Sequence, residues 1–134
     1  MPLTTESPAD FGDIEVVRAS CLSKDGTRVP MSLLRKRGTR LNGQNPTLLT
    51  GYGGYGINTL PRFDFTRWIW FDQGGVIAVA NLRGGGEFGE DWHRDGNLTR
   101  KQNVFDDLIE ASDPFCCVPA RTPGTEWEHR SVRE

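Results

Sequence analysis

The sequence predicts an α/β fold, and three observations carry that reading. Val76–Ala80 (VIAVA) is a continuous apolar run of strand length, the pattern of a parallel strand covered on both faces. Pro46–Thr50 is a second short apolar run, and it empties directly into the glycine-rich segment Gly51–Gly56 (GYGGYG). Between the two runs lies an aromatic-rich stretch long enough for a crossover helix. Strand, helix and strand then form a parallel unit with a right-handed connection.

The remaining elements follow in order. Asp13–Ser23 is rich in β-branched residues and predicts a strand. Lys24-Asp25-Gly26 carries the Asp-Gly hairpin dipeptide, and Thr27–Leu34 is the return strand. Pro30 lacks a backbone donor, which points to an edge strand or a bulge. Arg35–Asn45 is a solvated connection whose Arg35-Lys36-Arg37 cluster faces water. After the strand at 46–50, Pro61 is placed to open a helix over Phe63–Gln73, which Gly74-Gly75 stops. The apolar residues of that helix cover more than one stripe, so burial on several sides is expected. Asn81–Arg100 is a long loop, and Gln102–Ala111 an amphipathic helix. On that helix Val104, Phe105, Leu108 and Ile109 are assigned to one face, and Asp106, Asp107 and Glu110 to the other. Ser112–Glu134 shows neither helical nor strand periodicity and is expected to be irregular. The predicted order is β–β–β–α–β–α. Residues 1–11 are a linker or cut end, 12–111 the folded domain and 112–134 the tail.

Bulk properties exclude several function classes. A length of 134 residues suits one domain with a real core. With 16 basic and 18 acidic residues there is no basic face for nucleic acid. No apolar run is long enough to cross a membrane, and Met1–Asp10 lacks a signal-peptide apolar region. The three cysteines, Cys21, Cys116 and Cys117, are an odd count without such a leader, which points to a reducing, cytoplasmic setting. There is no CxxC and no complementary pair of histidines, so no metal site and no cofactor are expected.

The chemistry centres on the glycine segment. Glycines let a backbone approach a ligand closely. Gly51, Gly53 and Gly56 also match the G-x-G-x-x-G dinucleotide fingerprint, which raises NADP binding with Arg83 near a phosphorylated ribose. That fingerprint needs a helix opening inside the glycine turn, and Pro61 breaks any helix run from Gly53. No Gly-Lys-Ser/Thr follows, so a P-loop is excluded. None of the serines (7, 20, 23, 32, 112, 131) lies in G-x-S-x-G, and no Ser–His–acid set is recognisable. His93 is assigned to loop hydrogen bonding and His129 to the solvated tail, while Glu87, Glu90 and Asp91 are assigned as loop charges. What remains is an oxyanion donor. In α/β hydrolases the loop after the third strand supplies one, and Tyr52 and Tyr55 offer hydroxyls there.

Several separate segments closely resemble the prolyl oligopeptidase family of serine peptidases. They are Lys24–Met31, Pro46–Tyr55, Gly75–Gly89, Trp92-His93 and Lys101–Asp107. The match runs in order and with similar spacing from about Phe11 to Ala111. The resemblance implies a truncated α/β-hydrolase fold, the opening part of the catalytic domain, with the β-propeller absent. It implies that Tyr52 is the oxyanion-hole tyrosine and that Tyr55 occupies an aromatic position lining the proline-binding pocket. The resemblance stops before the elbow that bears the nucleophile, so nucleophile, acid and histidine base are all missing.

The resemblance therefore implies a fragment of a serine endopeptidase acting on proline-containing oligopeptides, inactive by itself. The alternatives are a non-catalytic binding module and the dinucleotide-binding domain. Partners implied are proline-containing peptides, a separate catalytic half, or a second copy paired through an exposed sheet edge. A frameshift or premature stop is the expected origin of the tail.

Overall fold

The computed structural model describes residues 10–62 and 64–113, with the backbone of Val118–Pro119. Its strands are β1 (Ile14–Leu22), β2 (Arg28–Lys36), β3 (Thr47–Gly51), β4 (Val76–Ala80) and the two-residue β5 (Val118–Pro119). They form one mixed sheet in the order β3-β4-β2-β1-β5. Strands β1 and β2 are an antiparallel hairpin, turned at Asp25-Gly26, where Gly26 adopts φ +83° and the Asp25 carboxylate accepts the Thr27 N–H at 3.0 Å. Strands β3 and β4 are parallel, with Thr47 opposite Val76 and Gly51 opposite Ala80. A 3-10 turn (Phe65–Arg67) and the short helix α1 (Trp68–Asp72) connect them. Beyond β4 come α2 (Glu90–Arg94), a 3-10 turn (Leu98–Arg100) and α3 (Gln102–Ala111).

The core occupies both faces of the sheet, as the all-apolar β4 requires. On one face Val76, Ala78 and Ala80 pack with Val29, Met31 and Leu33 beneath Val104 and Ala111 of α3. On the other, Ile77 and Val79 pack with Leu34 against Phe71 of α1. The period-2 alternation of a strand divides its side chains between two helical layers.

Several sequence expectations are corrected. Strand β2 is interior, not an edge. Its Pro30 lies just past the last β2–β4 pair, Met31 with Ala80, and its carbonyl accepts the Asn81 N–H at 2.9 Å. The absent donor of Pro30 therefore faces the end of the ladder, where no partner strand needs it. The crossover helix is shorter than 63–73. It starts at Phe65, because the Asp64 carboxylate caps the turn by accepting the Thr66 N–H at 2.9 Å, and Gly74 at φ +78° follows its end. Of its large apolar residues only Phe71 is buried, while Phe65, Trp68, Ile69 and Trp70 are exposed. Residues 81–100 are not wholly loop, since they contain α2. Most of the tail expected to be irregular lies outside the described residues, but Val118–Pro119 pairs with Ala19 and Ser20 of β1.

Arg35 and Lys36 of the basic cluster end β2 and are spent on structure. Arg35 pairs with Glu15 at 2.8 Å, and Lys36 reaches Asp13 and Asp72, each at 3.4 Å. No helix among the described residues is long and apolar enough to cross a membrane.

Candidate active-site edge

Because β3 and β4 are parallel and end in register, Tyr52 and Asn81 leave the sheet at the same edge. Open α/β sheets bind ligands at the carboxyl ends of their strands. Tyr52 is half exposed and Tyr55 is 87% exposed, with their rings stacked at a centroid separation of 6.5 Å and an interplanar angle of 29°. Tyr55 adopts φ +52°, a left-handed conformation that costs a residue other than glycine about 1–3 kcal/mol and persists only when its surroundings impose it.

The surroundings are a second glycine-rich segment, Gly84–Gly86. Gly56 donates its N–H to the Gly84 carbonyl at 3.1 Å. A Cβ on Gly84 would stand 2.6 Å from the Gly53 carbonyl oxygen. One on Gly53 would stand 2.8 Å from the Arg83 carbonyl oxygen and collide with Val104. Lys101, at the start of α3, caps the Gly53 carbonyl at 2.6 Å. The glycines thus let backbone approach backbone, where the sequence had suggested backbone approaching a ligand. No helix opens in the turn, so the geometry that a pyrophosphate requires is absent there.

Arg83, the residue on which an NADP reading depended, is buried and fully engaged. Its guanidinium bonds both oxygens of Asp107 and reaches Asp25, Thr27 and Ser23, while its backbone N–H also donates to Asp107 at 3.1 Å. The Ser23 hydroxyl donates to Asp107 at 2.6 Å. This cluster joins the β1–β2 turn, the segment after β4 and α3. Hydrogen bonding to Asp107, supported by Asp25, raises the Arg83 pKa above its already high value. Hydrogen bonds from Arg83 and then from the Thr27 backbone hold the Asp25 carboxyl well below the usual carboxylate range.

Asp107 also corrects the assigned faces of α3. It is fully buried beside Val104 and Ala111, while Phe105 and Ile109 are exposed. Positions 104, 107, 108 and 111 form a helical stripe as regular as the one first assigned. The signal for it was a lone Arg83 closing the apolar run VIAVANL, which called for a buried acid elsewhere.

His93, Glu90 and Glu87 also find partners, while His129 lies outside the described residues. A ring nitrogen of His93 lies 2.8 Å from the Gly84 carbonyl, and Glu90 pairs with Arg94 one helical turn on. Glu87 is not a free loop charge: it accepts the Thr59 N–H at 2.8 Å and an Asn81 amide N–H at 3.2 Å. The Asn81 side chain also donates to the Thr59 carbonyl at 2.9 Å. Neither Asn81 nor Thr59 was singled out from the sequence.

Residues 61–116 match the prolyl oligopeptidase family, so the similarity continues past Ala111. A prolyl endopeptidase of Elizabethkingia miricola is 46% identical over 91 residues, which are 68% of this chain and 13% of that enzyme. Prolyl oligopeptidase A of Galerina marginata is 44% identical over 101 residues, 75% of this chain and 14% of that one. A solved prolyl endopeptidase structure superposes with a TM-score of 0.73 at 47% identity, covering 78% of this chain and 15% of its own. The chain therefore spans only about a seventh of the length of these relatives. Over that span sequence and architecture agree, and the chain is similar to one part of the proteins of the prolyl oligopeptidase family.

Proposed function

We propose that the chain carries the oxyanion-donor and proline-pocket portion of a serine endopeptidase acting on proline-containing oligopeptides. Tyr52 serves as the donor and Tyr55 as a wall of the pocket. One observation carries the reading: both tyrosines are presented at the carboxyl edge of a parallel strand pair, in a segment whose backbone is fixed by its neighbours. A preorganised donor contributes because it needs no reorientation as charge develops on the substrate oxygen. It contributes little without a nucleophile and base, and no nucleophile elbow occurs in this sequence. Hydrolysis therefore depends on a polypeptide that supplies them, and the odd cysteine count favours a cytoplasmic setting.

The test is a chimera in which residues 11–111 replace the corresponding segment of the Elizabethkingia miricola enzyme. The chimera should cleave a proline-amide reporter. Tyr52→Phe should lower kcat by about 10²–10³-fold, the usual loss for one oxyanion donor, and Tyr55→Ala should raise KM. The chain alone should give no turnover. An active chimera indifferent to Tyr52→Phe overturns the reading.

A second reading rests on the edge position of β3, which pairs with β4 alone among the described residues, and on the exposed side chains of α1. Open edges and apolar patches favour association. In this reading the chain is a module that pairs with a complementary segment or a second copy. Size-exclusion chromatography with circular dichroism separates the two. A monodisperse, cooperatively melting species supports the module, and aggregation without cooperative melting opposes it.

A further inference from the structure

Thr59 belongs to no helix or strand, yet both of its main-chain groups are satisfied by side chains. Its N–H goes to Glu87 Oε1 at 2.8 Å, and its carbonyl takes the Asn81 Nδ2–H at 2.9 Å. The same Asn81 amide closes the triangle by donating to Glu87 Oε1 at 3.2 Å. Asn81 is buried at the end of β4, so the triangle is anchored to the rigid centre of the sheet. Two side chains thus supply the rung that an adjacent strand would have supplied.

The Glu87 carboxylate does this asymmetrically. Oε1 accepts both hydrogen bonds, while Oε2 is withdrawn from water with no hydrogen-bond partner among the described residues and occupies the space that a Cβ on Gly85 would take. A buried, unpartnered oxygen is costly, and such groups call for an explanation. A charged acceptor also makes stronger hydrogen bonds than an amide does.

What the triangle holds is informative. Thr59 lies four residues past Tyr55, whose left-handed φ of +52° sits in a turn closed by the Ile57 N–H on the Gly54 carbonyl at 3.0 Å, while its ring is almost wholly exposed and stacks on Tyr52. On the Gly53 side the constraint is Lys101. On the far side it is the Gly56 bond to Gly84 and then the Thr59 triangle. Without the triangle, residues 57–60 would lose their attachment to the segment after β4, and the turn, closed on itself by the Ile57 N–H to the Gly54 carbonyl, would be tied to that segment by the Gly56 bond.

We infer that Glu87 and Asn81 are positioning residues that clamp Thr59 and so maintain the strained conformation of Tyr55 and the stacked Tyr52–Tyr55 pair. The inference deepens the proposed active-site reading and rests on it for its functional meaning, but the clamp is testable without any activity. The chain has two tyrosines, both in this segment. The full-length chain labelled with 3-fluorotyrosine should therefore give two fluorine signals, each a direct report on the site. Glu87→Ala should move the Tyr55 signal toward that of the free amino acid and speed Thr59 amide exchange by about tenfold or more, with the β4 amides unchanged. Glu87→Gln keeps one carbonyl acceptor and should restore both signatures. The clamp is overturned if a folded Glu87→Ala chain leaves both signatures unmoved, or if Glu87→Gln behaves as Glu87→Ala. If Glu87→Ala unfolds throughout, the unaltered chain decides: a protected Thr59 amide supports the clamp, and one exchanging at the open-peptide rate overturns it. A chimera indifferent to Tyr52→Phe with the clamp signatures intact would overturn the active-site reading alone.

Discussion

Asp107, in the middle of α3, holds the guanidinium of Arg83 with both carboxylate oxygens, and neither side chain has appreciable contact with water. The pair fastens a helix to the segment that follows the central parallel strand. Breaking one half leaves an uncompensated buried charge, which costs about 3–5 kcal/mol. Arg83→Met and Asp107→Ala should each lower the urea midpoint accordingly. The double variant Arg83→Met/Asp107→Leu should recover a large part of the loss. Unchanged stability in Arg83→Met would contradict the assignment.

The Asp25 arm of the same cluster makes a prediction about acid. Its carboxyl is depressed in the folded chain from an ordinary value of 3.8, first by the Arg83 hydrogen bond. A group with a depressed folded pKa stabilises fully above its unfolded value and loses that contribution as pH falls toward the folded one. The stability of the unaltered chain should therefore decline below about pH 4. In Asp25→Asn that limb should be shallower, with lower stability at neutral pH. Thermal melts across the acid range measure both, and parallel curves for the two proteins would refute the coupling.

Gly53 and Gly54 are adjacent but differ in what they tolerate. Gly53 combines φ +60° with backbone and Val104 contacts that a side chain would violate. A Cβ on Gly54 meets only ordinary contacts, the nearest at 3.6 Å from Lys101 Nζ. Gly53→Ala should cost at least about 1–3 kcal/mol, whereas Gly54→Ala should stay within about 0.5 kcal/mol. Equal urea midpoints would show that the glycine interlock is not as described.

Within α1, neighbouring apolar residues should respond in opposite ways. Phe71 is buried against Leu34, Ile77 and Val79, so Phe71→Ala should cost about 3–5 kcal/mol. Ile69 is 62% exposed, so Ile69→Lys should leave the melting temperature nearly unchanged while reducing self-association on size-exclusion chromatography. A large loss of stability in Ile69→Lys would mean that this face packs on the chain itself.

The sequence was most readable where a local pattern and its tertiary use coincide. VIAVA reads as a doubly covered strand, and it is one, because every residue of β4 is buried. Asp25-Gly26 reads as a hairpin turn and is one. Legibility failed where a distant partner overrides the local pattern. Asp107 reads as solvent-facing until Arg83 is known to lie above it. The wide apolar stripe at 65–71 reads as buried, yet the described part of the chain covers only Phe71. Glu87 reads as one more loop charge, because nothing local announces that its acceptor is spent on Thr59, 28 residues earlier. The sequence offers Tyr52 and Tyr55 as candidates through their place in a family-like motif, whereas nothing local points to Asn81 and Thr59 beside Glu87.

The mutual fit of Gly53 with Gly84 ties two stretches of sequence, 31 positions apart, into one fitted unit. Neither can acquire a side chain at these contacts unless the other moves, so variation in them must arrive in pairs. The same holds for engineering. A graft that brings in 51–56 but retains a host's own 84–86 imports half of a matched surface, and its tyrosines will sit wherever the mismatch leaves them. Transplanting this edge of the sheet means moving both segments together.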